Sequence, residues 1–399
     1  MAFSDEGLKV WPVPPDWSNG VQETLTWSTD VMRASASAVS QHRGLRLAPR
    51  RTLTFEVIGE RQDRRVAEML LAGHSGKWEL PIWHDVNWLA APLAGGVEEI
   101  PCDPAGRDFI AGGRALLFDV VNRWEIVEID AIDTDHITLT TPTDIGFGLG
   151  SRLYPLRRAL VQDGAEEQLL SDALGRRSIT FDIVEPCDWP VLESPTLYLG
   201  HPVLTVRPDE SDDPSSSVSR LLQTVDYGTS IPVVHDMPGL GLRAQQSHWK
   251  LFERAEHTWF RSLLYTLQGR RVPAWVPSWT ADLKPAATVA GGSTTLSIEW
   301  AGYTLFGLAK HNRRDLRIEL INGTVYYRRI NNAIEAGATE TLTLSASLSG
   351  SSIAAAQIRV ISFMALCTLA SDSVEIEHVT DIDGSAESTT GWQAVVPDV

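Results

Sequence analysis

Apolar and polar residues alternate along Thr52-Leu53-Thr54-Phe55-Glu56-Val57-Ile58, with the apolar ones at 53, 55 and 57. A period of two predicts a strand with one buried face. A helix is expected next, over Glu60–Leu71, closed by Gly73, a residue suited to the left-handed turn after a helix end. Trp78-Glu79-Leu80-Pro81-Ile82-Trp83 then leads into a long β-patterned tract. Within it, Trp124–Ile129 and His136–Thr140 predict paired strands around the turn Asp133-Thr134-Asp135. Ile179, Phe181 and Ile183 alternate again and predict a returning strand.

The same order of features recurs further along. Pro202-Val203-Leu204 opens it, and Trp249-Lys250-Leu251-Phe252 precedes a second expected helix, Glu256–Gln268, closed by Gly269. Ala274-Trp275-Val276-Pro277-Ser278-Trp279 follows. One fixed offset sets Asp30 on Asp226, Glu60 on Glu256, Arg65 on Arg261 and Leu71 on Leu267. It also sets Gly73 on Gly269, Pro81 on Pro277 and Trp83 on Trp279. Leu316–Ile321 and Thr324–Arg328 flank Asn322-Gly323, a hairpin signal that asks for positive φ at both turn residues. Thr341–Leu344 and the pair Val374 and Ile376 supply further strands, and the polar run Asp209–Ser217 is expected to be a mobile loop.

This order predicts a mainly β fold with a few short helices, built as two tandem similar halves, 1–190 and 191–399. Each half is expected to be a β-sandwich or split-barrel-like module carrying a small inserted antiparallel β-barrel, at about 97–160 and 287–347. Trp78, Pro81, Trp83, Trp275, Pro277, Trp279, Gly73 and Gly269 form the candidate set for the structural repeat and for interfaces.

Composition narrows the function classes. A chain of 399 residues suits two or three domains of about 100–200 residues each. A net charge of −17 repels phosphate backbones, so no direct nucleic-acid partner is expected. The one dense basic run, Arg43, Arg46, Arg50, Arg51, Arg61, Arg64 and Arg65, is expected to be a solvated face or a salt-bridge strip at an interface. Cys102, Cys187 and Cys367 are odd in number and widely spaced, which predicts reduced, mostly buried thiols in a protein folded in the cytosol. The opening MAFSDEGLKVWPVPPDW has neither a basic start nor an apolar run, so it does not read as a secretory signal. No apolar run reaches 18 residues, and no membrane insertion is expected. Fourteen tryptophans suit both sandwich cores and interface cores.

Catalytic patterns are not found. His74, His84 and Asp85 lack metal-ligand spacing, and so do His248 and His257. No Gly-x-Ser-x-Gly elbow occurs, and Gly146-Phe147-Gly148-Leu149-Gly150-Ser151 does not open a helix, so it is not a phosphate cradle. No enzyme activity, catalytic residue, cofactor or metal is expected.

Several segments carry a family likeness: Trp11-Pro12-Val13-Pro14-Pro15-Asp16-Trp17, Gly44–Arg51, the Trp78–Trp83 and Trp275–Trp279 segments, and Leu369–Glu377. Together they resemble minor tail proteins of long-tailed bacteriophages and prophages, structural parts of the tail tip or baseplate. The resemblance implies a β-rich subunit of the virion tail, assembled in the host bacterial cytoplasm. It implies a homo-oligomer around the tail axis that contacts the tail tube or distal tail protein and carries other tip proteins. Two similar modules per chain suggest a trimer with six modules, able to match six-fold and three-fold neighbours, with a plain hexamer next. The alternative is a carbohydrate-binding or host-adhesion module of the virion, and a cell-wall hydrolase ranks behind both.

Overall fold

A computed structural model describes residues 9–34, 37–161, 166–211, 215–381 and 384–396. The fold is mainly β. Its first stretch runs β1 (Lys9–Val10), β2 (Val21–Thr26), β3 (Thr29–Arg33), β4 (Ser40–Gly44), β5 (Arg50–Glu60), α1 (Gln62–Gly73) and β6 (Trp78–Pro81). There follow β7 (Asn87–Trp88), β8 (Glu99–Pro101), β9 (Arg114–Val120), β10 (Arg123–Ile132) and β11 (His136–Leu139), then β12 (Arg152–Val161), β13 (Glu166–Leu169) and β14 (Leu174–Ile183).

The chain continues through β15 (Leu197–Tyr198), β16 (His201–Pro202), β17 (Ser216–Ser219), β18 (Leu222–Val225), β19 (Val233–Asp236), β20 (Leu242–Leu251), α2 (Arg254–Leu267) and β21 (Ala274–Pro277). It ends with β22 (Thr295–Glu299), β23 (Asp315–Leu320), β24 (Val325–Ala336), β25 (Thr339–Leu344), β26 (Ile358–Leu369), β27 (Ser373–His378) and β28 (Ala386–Ala394).

Strand pairing follows one order in both stretches. β5 lies between β2 and β14, β14 reaches β12, and β12 pairs with β6. β20 lies between β17 and β28, β28 reaches β26, and β26 pairs with β21. β1 runs parallel to β6, and Val203 makes a parallel bridge with Trp275. Trp11 N–H donates to Glu79 O at 3.1 Å, and Leu204 N–H donates to Trp275 O at 2.9 Å. The hairpins β3–β4 and β18–β19 occupy the same place in each order.

The stretches are not separate bodies. β2 pairs on one side with β5 and on the other with β27, so that Glu23 stands opposite both Leu53 and Ile376. One sheet therefore runs through both. β13 and β17 pair on one side only among the described residues, with β14 and β20 respectively.

Two larger cores lie under this sheet. Trp11, Leu53, Phe55, Trp78, Trp83 and Phe181 belong to the first, and Trp27, Trp249, Phe260, Leu264 and Trp392 to the second. Smaller cores gather Ile100, Leu117, Ile129 and Phe147 in one case, and Leu296, Ile318, Ile330 and Leu342 in the other. These residues come from the two expected insertions. Tyr154, Leu156 and Ala159, placed by sequence in the first insertion, pack instead in the first large core.

Several local expectations change. The single offset fails at the strand–helix junctions: Glu60 ends β5, whereas Glu256 lies in the first turn of α2. Gly269 has φ +68 after α2, but Gly73 is the last helical residue of α1 and is followed by extended His74. Gly323 has φ +84, while Asn322 is not among the residues with positive φ. Leu320 N–H bonds Thr324 O, which fits a three-residue loop with a left-handed glycine rather than a two-residue turn. Ser216 and Ser217 belong to β17, not to a loop, and Asp212–Pro214 of that run lie outside the described residues. Their polarity suits an edge strand whose side chains are all exposed.

The candidate tryptophans are mainly core residues. Trp78 and Trp83 are 2% exposed and Trp275 is 3% exposed, while Trp279 at 9% borders a surface cleft. Pro81 and Pro277 end the buried strands β6 and β21.

Candidate functional site, a buried ionic seam

Alternation along β2 places Val21, Glu23 and Leu25 on the inward face. Glu23 is thereby fully buried at the joint between the two stretches. Its Oε1 lies 2.5 Å from Arg51 Nε and 3.0 Å from Arg261 Nη2. Its Oε2 meets His378 Nε2 at 2.8 Å, with His84 Nε2 at 3.7 Å. These partners come from β5, α2, β27 and the loop after β6.

Two more carboxylates extend the seam. Asp108 receives Arg51 Nη1 at 2.5 Å and Arg157 Nε at 2.9 Å. Asp85 accepts the Asp108 N–H at 3.1 Å and Arg254 Nη1 at 2.6 Å, and Arg254 Nη2 reaches His84 O at 2.9 Å. Arg261 also lies over the Trp189 ring, 4.4 Å from its centroid. The rings of His84 and His378 stack 3.5 Å apart at 3°, with His257 5.3 Å from His378.

Burial alone would raise the Glu23 carboxyl. Arg261, Arg51 and the His378 hydrogen bond outweigh it and hold the group well below the usual range. Burial likewise opposes ionisation of Asp108 and Asp85, but Arg51 and Arg157 depress the first and Arg254 the second. Burial pushes all three histidines down, helped by His378 at both His84 and His257; the Glu23 bond only partly opposes it at His378. The His257 value falls to about 3. The seam at neutral pH thus holds ionised carboxylates and guanidiniums beside neutral imidazoles.

Glu23, His84 and His378 bring ligand atoms within 4.8 Å of one another, a set worth testing for a metal. The electrostatics argue against one. Both Glu23 oxygens are already engaged, and two guanidiniums stand within 3.0 Å of Oε1. A divalent cation there would face that positive charge at short range. The trio fits a hydrogen-bonded ion network, which locks the joint rather than presenting a free group to a substrate.

Of the residues considered from sequence for metal chemistry, His84, Asp85 and His257 converge here. His74 instead packs edge-on against Trp78 and contacts Lys77 O, and His248 contacts Thr389. Arg51, from the basic run, is buried, whereas Arg61 is exposed. Glu23, Asp108, Arg157, Arg261 and His378 had not been marked as a group. One signal was present: Glu23 and His378 occupy inward positions of alternating strands, where a charge needs partners.

Among the described residues no helix is long and apolar enough to cross a membrane. The sequence matches no protein-family model and no curated protein.

Proposed function

We propose that this chain is a structural subunit of a bacteriophage tail tip or baseplate, built from two tandem modules of like architecture. It assembles into a ring around the tail axis and connects the tail tube or distal-tail ring to other tip proteins. The observation that carries this reading is the joint at β2, where one strand is shared between both stretches and an ionic seam locks it. Such a joint fixes the orientation of two modules, which a ring component requires. Its charges are spent on one another, so it supports assembly rather than turnover. The sequence resemblance adds the tail as its setting.

Three copies would give six modules in the ring, with a hexamer of whole chains as the rival stoichiometry. The adhesion alternative gains little support, because most large aromatic rings are buried in the cores. Imaging of particles from a phage or prophage that encodes the chain tests the proposal. Density for the chain at the distal end of the tail, and loss of the tip on deleting its gene, are expected. Intact tips without the chain would overturn it.

A further inference from the structure

Resting on the ring reading above, we propose that the joint inside the chain is repeated between chains. Strand β13 of one copy adds antiparallel to β17 of the next, and the face of α1 that carries Arg65 and Met69, with Arg61 just before it, enters that copy's Trp279 cleft.

Strand registers carry the argument. Leu53 stands between Glu23 and Phe181, and Gln245 stands between Ser216 and Trp392, so Ser216 takes the place of Glu23. Glu167 faces Arg177, which faces Val57; Ile376 faces Ser388, which faces Trp249. Glu167 therefore takes the place of Ile376. Within the chain Ile376 pairs with Glu23, so the repeated joint pairs Glu167 of one copy with Ser216 of the next. The carboxylate changes strand but stays in the same rung. Both strands have one side unpaired among the described residues, the condition for strand addition.

The helices agree with the strands. α2 turns His257 and Arg261 into the seam and sets Tyr265 beside it against the Trp27 ring, and all three are buried. At the offset that aligns β21 with β6, Arg261 and Tyr265 fall on Arg65 and Met69 of α1, while His257 falls on Arg61, just before that helix begins. Arg61 and Arg65 are exposed, and Met69 is 70% exposed. The receiving place is open too. Ser216, Arg243, Gln245, Trp279 and Thr280 line a cleft of about 250 Å³. Ser216, Arg243 and Gln245 hold the strand positions of Glu23, Arg51 and Leu53, and Trp279 and Thr280 follow β21 as Trp83 and His84 follow β6; in the filled joint Glu23 pairs with Arg261 and the His84 ring lies 6.4 Å from that of His257. The occupant is thus a second copy of this chain.

The test uses the full-length chain with Glu167→Cys and Ser216→Cys together. Oxidation is expected to join copies in a ladder, at least about tenfold more efficiently than Leu169→Cys with Ser216→Cys, which lies two residues out of register. A second variant, Met69→Asp, is expected to shift the native mass from ring to monomer while leaving the melting temperature of the chain unchanged. A wild-type ring that neither cross-links at this pair nor responds to Met69→Asp would overturn this joint and leave the ring reading standing. A wild-type chain that stays monomeric at assembly concentrations would overturn both.

Discussion

α1 and α2 follow the same kind of strand and precede the same kind of strand, yet α1 buries only Ala67 while α2 buries eight residues. Arg65 of α1 is exposed, whereas Arg261 of α2 is among the most buried side chains of the protein. Neither helix is distinguished by its neighbours in sequence. Part of the difference lies in α2's own apolar residues, Phe260, Leu263 and Leu264, which join the second core, and part in Arg261, which meets Glu23 of β2 while Arg65 of α1 stays exposed. The comparison teaches that a polar helix face is not evidence of a solvated one. Arginines at such a face become core residues when carboxylates from another stretch meet them.

The largest expected difference between the helices comes from removing a charge. Arg261→Ala leaves Glu23 short of a partner in a fully buried place and is expected to destabilise the chain by about 3–5 kcal/mol. Arg65→Ala on α1 should stay within about 0.5 kcal/mol for the isolated chain. Chemical denaturation of the two variants measures this, and equal effects would break the comparison.

Core truncation near the two helices should rank next. Trp83→Ala is expected to lose about 3–5 kcal/mol through lost transfer energy and a cavity, and Trp279→Ala less, because its ring already borders a cleft. Thermal melts that reverse this order would count against placing the open cleft at Trp279.

Acid should act on the seam in a defined direction. An unfolded chain protonates His84, His257 and His378 below about pH 6.5. The folded chain keeps them neutral to lower pH, His257 to about 3. The unfolded state then binds more protons, so stability falls as pH drops below about 6.5, by up to about 1.4 kcal/mol per pH unit for each such group. Below about pH 4.5 the depressed Glu23, Asp85 and Asp108 add losses of the same sign. Denaturation across pH 7 to 4 measures the slope, and His257→Phe should flatten its upper part.

The smallest contrast lies at the helix ends. Gly269→Ala would place a Cβ 2.5 Å from Asp372 Oδ1 at φ +68 and should cost about 1–2 kcal/mol. Gly73→Ala meets no atom within 4 Å and should gain up to about 1 kcal/mol. Melting temperatures that move the same way in both would blur the distinction.

Local pattern made much of the frame legible. Alternation at 53, 55 and 57 marked β5, the two helices lie within a few residues of their expected spans, and the hairpin around Asn322-Gly323 is present. The seam was hidden for a physical reason. Its charged and histidine members come from seven segments, and Glu23 meets His378 across 355 residues of chain. No spacing rule spans that distance. β17 was missed because Ser-Ser-Val-Ser looks like a loop until its partner β20 is known. Burial of Trp78 and Trp83 in the first large core likewise depends on the third dimension, since aromatic content alone fits cores and interfaces equally.

The most direct test of the central claim is a high-resolution image of the assembled protein, examined at α1. Arg61, Arg65 and Met69 are predicted to be buried against Trp279 of an adjacent copy, with β13 and β17 hydrogen-bonded across the boundary. An assembled ring in which α1 faces solvent, or meets a different surface, would contradict it.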